Sequence, residues 1–282
     1  MDAVRTPDDR FDAIPDFPYA PHYVSDLEGL HGEPTWSFLY RKMIPIFLRA
    51  GARVVAPDFL GFGRSDKPVH DADYTVALHR HNLVRLLERL DLRDITLVCQ
   101  DWGGLLGLTL PMDHPDRFRR LIVMNTTLPI GVEPTEGFVA WRQYVRDTPD
   151  FPVGRLMKRS APSLTDAEVA AYDAPFPDAT YKAGVRTFPA LVPTTDHDDT
   201  EVSDLGRRAR AFWRNDWQGQ SFMAVGAQDP VLGVKPMAWL QQQIRGCPPP
   251  LVLDDAGHFV QEAGDRVANA ALAAFAGPSA SG

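Results

Sequence analysis

The stretch Val98-Cys99-Gln100-Asp101-Trp102-Gly103-Gly104 decides how this chain folds. An apolar, β-branched run, Ile95-Thr96-Leu97-Val98-Cys99, leads into it, and an apolar helical pattern is expected from Leu105 onward. A strand, then small residue, x, nucleophile, x, Gly, then a helix, is a nucleophile elbow: a sharp turn that lifts one side chain above a sheet. Cys99 is the small residue, Gly103 the glycine, and Asp101 holds the nucleophile position. An Asp ahead of a helix ordinarily serves as an N-cap. As a nucleophile it excludes an acyl-transfer serine mechanism, but a carboxylate can displace a leaving group from an sp³ carbon and form an ester. The N-terminus of the following helix is expected to favour its ionised form.

Further short β-rich runs flank the elbow: Arg53-Val54-Val55-Ala56-Pro57, Leu121-Ile122-Val123-Met124-Asn125, Phe222-Met223-Ala224-Val225-Gly226 and Leu251-Val252-Leu253. They alternate with helical patterns, such as Thr75 to Leu90, where Val76, Leu83, Leu86, Leu87 and Leu90 share a face. This alternation predicts an α/β fold, a mostly parallel sheet with helices on both faces. From about Pro129 to Asp216 the strand signal fades into proline, aromatics and short helical patterns such as Thr165 to Tyr172, and strand runs then resume. The expected organisation is an α/β core over 1–128 and 217–282, with an inserted helical cap over 129–216. The Gly/Ser-rich end, 276–282, is expected to be frayed.

The chain has 282 residues, 44% hydrophobic and 23% charged, enough for a sizeable core. Its 29 basic and 37 acidic residues give a net charge of -8 with no long basic run, which argues against nucleic acid as a partner. The N-terminus has acids and prolines where a signal peptide needs a basic flank and an apolar stretch, and no window is apolar enough to span a bilayer. A cytoplasmic protein without a membrane association is expected. Cys99 and Cys247 are the only cysteines; they form no disulfide framework and no zinc-site spacing, so neither metal nor other cofactor is expected.

Two later loops supply the partners a nucleophile needs. Gly226-Ala227-Gln228-Asp229-Pro230 follows one late strand, and Asp254-Asp255-Ala256-Gly257-His258-Phe259 follows the next. The chain order is then nucleophile, acid, base, with Asp229 orienting His258 and His258 activating water. Near the start, His31-Gly32-Glu33-Pro34-Thr35-Trp36 resembles the HGxP turn that gives a backbone N–H to an oxyanion hole. The donors are assigned to Glu33 and Trp102.

Taken together, QDWGG at 100–104, Gly137-Phe138-Val139-Ala140-Trp141 and AGHFVQE at 256–262 resemble the haloalkane dehalogenases of the α/β-hydrolase fold, in particular those acting on small haloalkanes. The match runs from His31 to about Phe275. This resemblance implies hydrolysis of a small uncharged haloalkane by water to a primary alcohol and a halide ion, with Trp102 and Trp141 pointing their indole N–H groups at the departing halide. Such donors suit the task, since a halide leaving in an apolar pocket needs hydrogen bonds but no trapping counter-charge. The other tryptophans, Trp36, Trp213, Trp217 and Trp239, are expected in the core. The same resemblance makes Phe138, Ile130, Phe188, Val192, Val231 and Leu232 the lining of an occluded cavity, and it implies a monomer. It also allows the acid one strand earlier; that position is Asn125, which cannot ionise, and this leaves Asp229.

Two related activities and one non-catalytic role remain as alternatives. Epoxide hydrolases share the Asp nucleophile but need cap acids, for which Tyr144, Tyr172 and Tyr181 are candidates; Trp102 and the GFVAW segment favour halide. Fluoroacetate-type enzymes follow the nucleophile with Arg, which Trp102 cannot replace. A binding protein that has lost catalysis would be expected to have a broken triad. One departure stands out: the fold leads an apolar strand, after two others, into the HGxP turn, whereas here Asp26-Leu27-Glu28-Gly29-Leu30 abuts His31. Roughly 20 residues are absent against usual strand and hairpin lengths: either the numbering skips a segment that the molecule has, or the sheet is truncated and the oxyanion-hole loop loses its anchoring strand.

Overall fold

A computed structural model describes residues 1–23, 35–195, 197 and 199–277. Its centre is a four-stranded parallel sheet in the order β3-β4-β5-β6, made of β3 (Ile95–Gln100), β4 (Phe118–Met124), β5 (Gln220–Gly226) and β6 (Leu251–Leu253). Apart from it, β1 (Ala3–Val4) and β2 (Lys67–Pro68) pair antiparallel. Leu121, Ile122, Val123 and Met124 on β4, and Met223, Ala224 and Val225 on β5, are all but inaccessible, as strands covered on both faces must be. Helices α1 (Ile44–Arg49), α2 (Val76–Arg89) and α3 (Asp101–Gly107) precede β4. Thr75 caps α2, accepting a bond from the Leu78 amide.

Between β4 and β5 the described chain forms α4 (Glu136–Asp147), α5 (Val153–Ser160), α6 (Asp166–Asp173), α7 (Ala183–Leu191) and α8 (Thr200–Asn215), with only isolated bridges among them. α9 (Val234–Gln243) joins β5 to β6, and α10 (Gly264–Ala276) closes the chain. A buried cluster ties α6 to the sheet layer. Arg41 forms ion pairs with Glu262 at 2.7 Å and with Glu168 of α6 at 2.6 Å, and it donates to the Tyr172 hydroxyl. Tyr172 donates to Glu262 in turn. Burying these charges is costly, so it is the completeness of the hydrogen bonding that makes the cluster tolerable.

Two expectations fail on the β3 side. Arg53 to Pro57 forms no strand, and no backbone hydrogen bond joins these residues to any described residue. Strand β3 pairs only with β4 among the described residues. Between the two lies a cavity of about 950 Å³, with Val54, Val55, Leu97 and Val98 on its walls, and these side chains are left half-buried. A β-branched run cannot become a strand without a neighbour to bond, and this one has none among the described residues. The helix after the elbow also differs: it begins at Asp101 itself and ends at Gly107.

Candidate active site

Asp101 has φ +47°, a left-handed conformation that costs a non-glycine residue about 1–3 kcal/mol. The surroundings hold it there. The Asp101 amide donates to the Asn125 carbonyl at 3.0 Å, and Thr126 Oγ1 donates to the Asp101 carbonyl at 2.7 Å. The expected glycine at 103 is not the one the turn demands. A Cβ on Gly103 would meet nothing within 4 Å, whereas one on Gly104 would collide with the Thr126 side chain. Gly104 thus permits the close crossing of α3 over the end of β4.

His258 lies between two carboxylates. Its Nδ1 is 2.7 Å from Asp229 Oδ2, and its Nε2 is 3.6 Å from Asp101 Oδ1. Burial works to raise the Asp229 pKa, but the charge and hydrogen bond of His258, the Asn125 amide and the Val231 amide hold it down to about 2. For His258, burial favours the neutral ring, yet Asp229 and then Asp101 outweigh it and lift the pKa to about 9. Burial raises the pKa of Asp101, only partly offset by His258 and the Trp102 amide. The expected preference for the ionised form at a helix N-terminus is therefore outweighed by burial. One supporting residue escaped the sequence reading. Asn125, dismissed because it cannot ionise, donates from Nδ2 to Asp229 Oδ2 at 2.8 Å and to the Gly226 carbonyl at 3.1 Å. Its position after β4 was visible, but its partner was not.

Asp101 and His258 open onto a cavity of about 620 Å³ between the sheet ends and α4, α5 and α7. Of the expected lining residues, Phe138, Val192, Val231 and Leu232 face it. Ile130 and Phe188 do not: Ile130 packs against the cluster beneath α8, and Phe188, fully buried, backs the Trp102 ring at 4.6 Å.

The six tryptophans separate by their N–H groups. Trp36 donates to Ala171 O, Trp213 to Leu108 O and Trp217 to Ser221 Oγ, as buried indoles should. Trp102, Trp141 and Trp239 line the cavity, and none of their indole N–H groups bonds a described residue. Trp239 was expected in the core; it lies half-buried on the cavity wall instead. Glu33, assigned to the oxyanion hole, lies outside the described residues. Of the cap tyrosines only Tyr144 lines the cavity, while Tyr172 is committed to Arg41 and Glu262. Among the described residues no cluster of His, Cys, Asp and Glu could hold a metal, and no helix is long and apolar enough to cross a membrane.

A family profile described as alpha/beta hydrolase fold matches residues 30–265. A haloalkane dehalogenase from Psychrobacter cryohalolentis is 41% identical over 297 aligned positions, covering 95% of this chain and 96% of that protein. Those 297 positions exceed the 282 residues here by 15, so at least that many residues of the relative have no counterpart in this chain. Haloalkane dehalogenase 1 of Mycobacterium tuberculosis is 41% identical over 288 positions, covering 93% of this chain and 94% of that one. Among solved structures, the haloalkane dehalogenase DpaA from Paraglaciecola agarilytica NO2 superposes with a TM-score of 0.94 at 49% identity, covering 98% of this chain and 99% of its own. That protein is described as a tetramer, so the expectation of a monomer finds no support. With a matching fold and relatives this similar over nearly its whole length, the chain belongs to the haloalkane dehalogenase family, hydrolases that act on carbon–halide bonds.

Proposed function

We propose that the chain hydrolyses small, uncharged haloalkanes to a primary alcohol and halide through an alkyl ester on Asp101. The observation that carries this reading is the placement of Asp101 on the wall of a largely apolar cavity, with His258 Nε2, on the same wall, 3.6 Å from its carboxylate. In the first step an Asp101 oxygen forms a bond to the halogen-bearing carbon, and the carbon–halogen bond breaks with its electron pair on the halide. The unsatisfied N–H groups of Trp102 and Trp141 are the donors for that anion.

In the second step water gives a proton to His258 Nε2 and attacks the ester carbonyl. The oxyanion is assigned to the backbone amides of Trp102 and Glu33. Collapse breaks the bond between the carbonyl carbon and the alkoxy oxygen, and the alcohol leaves with a proton. The electrostatics suit this order. Ester formation removes the Asp101 charge, one of the influences that lift His258 to about 9, so the ring moves toward its neutral form when it must act as a base. Asp229 stays ionised throughout. The helices over 129–216 form the cap in this reading, supplying Trp141 and Phe138 to the cavity from α4.

Isotope position tests the ester. A single turnover of 1-bromobutane in ¹⁸O-water should leave the label in the Asp101 carboxylate and none in butanol. Label in the first-turnover alcohol would mean that water attacks the substrate directly.

A further inference from the structure

The residue before the nucleophile has a side chain with a specific destination. Gln100 is 5% exposed, and its Nε2 lies 3.0 Å from His258 Nε2 and 3.1 Å from the His258 carbonyl oxygen. A side-chain amide nitrogen carries two hydrogens and accepts nothing, so both contacts are donated by Gln100. The orientation of the amide is set from its other end, where Gln261 Nε2 donates to Gln100 Oε1 at 3.3 Å. Across the ring, Asp229 Oδ2 accepts from His258 Nδ1 at 2.7 Å. In the neutral ring this contact keeps the proton on Nδ1 and leaves the lone pair on Nε2, where Gln100 points.

We propose that Gln100 is a positioning residue for His258: once the ester has removed the Asp101 charge, it donates to Nε2 and holds the imidazole as the neutral Nδ1–H tautomer until water takes over that lone pair. The inference rests on the reading of His258 as the base of the second step. A bond donated to Nε2 exists only for the neutral ring, because the imidazolium carries its own proton there. The charged groups facing the ring, Asp229 and Asp101, both favour imidazolium. Tyr40, which bonds Gln261, is kept neutral by burial, and Arg159 and Glu133 lie on the same cavity wall. Gln100 is thus the uncharged donor that counters the two carboxylates. Because it also bonds the His258 carbonyl, it can yield Nε2 to water and still hold the loop.

The test compares the parent with Gln100→Leu and with the nearly isosteric Gln100→Glu, which keeps the volume if the leucine variant does not fold. ¹⁵N NMR titration of the His258 ring is read alongside the pH profile of 1-bromobutane turnover. Loss of one hydrogen bond to the neutral ring should raise the His258 pKa by about one unit in Gln100→Leu, and the added anion should raise it further in Gln100→Glu. The acid limb of the kcat profile, below which the base is protonated, should move to higher pH with it, while KM changes by less than about twofold. A His258 titration unmoved in both variants overturns the proposal. The NMR reading needs no turnover, so a parent protein that released no bromide would refute the dehalogenation reading while Gln100 could still be judged by the titration.

Discussion

Asn125 Nδ2 lies 2.8 Å from Asp229 Oδ2, the same oxygen that faces His258 Nδ1. The amide therefore braces the acid in the direction from which it must hold the imidazole, and Asn125 Oδ1 is itself fixed by the Gly226 amide at 2.9 Å. Removing the donor by Asn125→Leu should raise the Asp229 pKa and let the carboxylate turn. A hydrogen bond to a charged group contributes about 1.5–3 kcal/mol, which corresponds to a fall in kcat of about 10- to 100-fold. Steady-state kinetics on 1-bromobutane checks it, and a variant within twofold of the parent rate would remove Asn125 from the catalytic support.

Acid should unfold the protein along a defined window. The Asp229 pKa, depressed to about 2 from an ordinary value near ~3.9, contributes stability that is fully present above the ordinary value and lost as pH falls through the folded one. The amount is on the order of 2–3 kcal/mol. Glu168 behaves alike: burial opposes ionisation, but the Thr165 amide and Arg41 hold it to about 2. Chemical denaturation should show stability dropping most steeply between about pH 4 and pH 2, and Asp229→Asn should flatten that slope. An unchanged slope in the variant would contradict the assignment.

The influence of Asp101 on His258 can be isolated without substrate. Asp101→Asn is a neutral stand-in for the ester, so the variant should lose one of the two charges that raise the imidazole. Its His258 pKa should fall below the parent value of about 9, measured by NMR titration. A value equal to the parent's would mean that Asp229 alone sets the ring, and the change in His258 on ester formation would have no basis.

Trp141 and Trp102 make the halide site separable by fluorescence. Two indoles sharing one anion should both report it, so bromide titration should quench the parent, and Trp141→Phe should weaken apparent bromide affinity by about tenfold through loss of one charge-assisted donor. Trp239→Phe offers a comparison, since its indole faces the same cavity but was not assigned to halide. If Trp239→Phe weakens bromide and Trp141→Phe does not, the second donor is Trp239.

What could be read from the sequence followed from how local each signal is. The β4, β5 and β6 runs, the α2 periodicity and the helical pattern of Thr165 to Tyr172 are written in neighbouring residues, and these strands and helices lie where they were expected. Asp101, Asp229 and His258, read from the sequence as nucleophile, acid and base, lie far apart in the chain and come together in space, with the imidazole between the two carboxylates. Contacts set by tertiary approach were not. Gly104 rather than Gly103 packs against Thr126, Asn125 reaches Asp229 across 104 positions, and Trp239 turns to the cavity; no nearby residue announces any of these.

Arg53 to Pro57 marks the limit of local reading, because strand-forming residues without a partner among the described residues formed no strand. The cavity of about 950 Å³ beside β3 is bounded on both flanks by half-buried apolar side chains and by backbone that pairs with no described residue across it. Filling that gap should therefore stabilise the protein. Inserting a six-residue apolar strand with a turn between Leu30 and His31 should fill that space, pairing the free edge of β3 and burying apolar side chains on both flanks. The net gain should raise Tm by on the order of 5–10 °C. Amide exchange across β3 should slow in the same variant, because an edge strand becomes an interior one. An insertion that leaves both Tm and β3 exchange unchanged would show that the space beside β3 does not accept a strand.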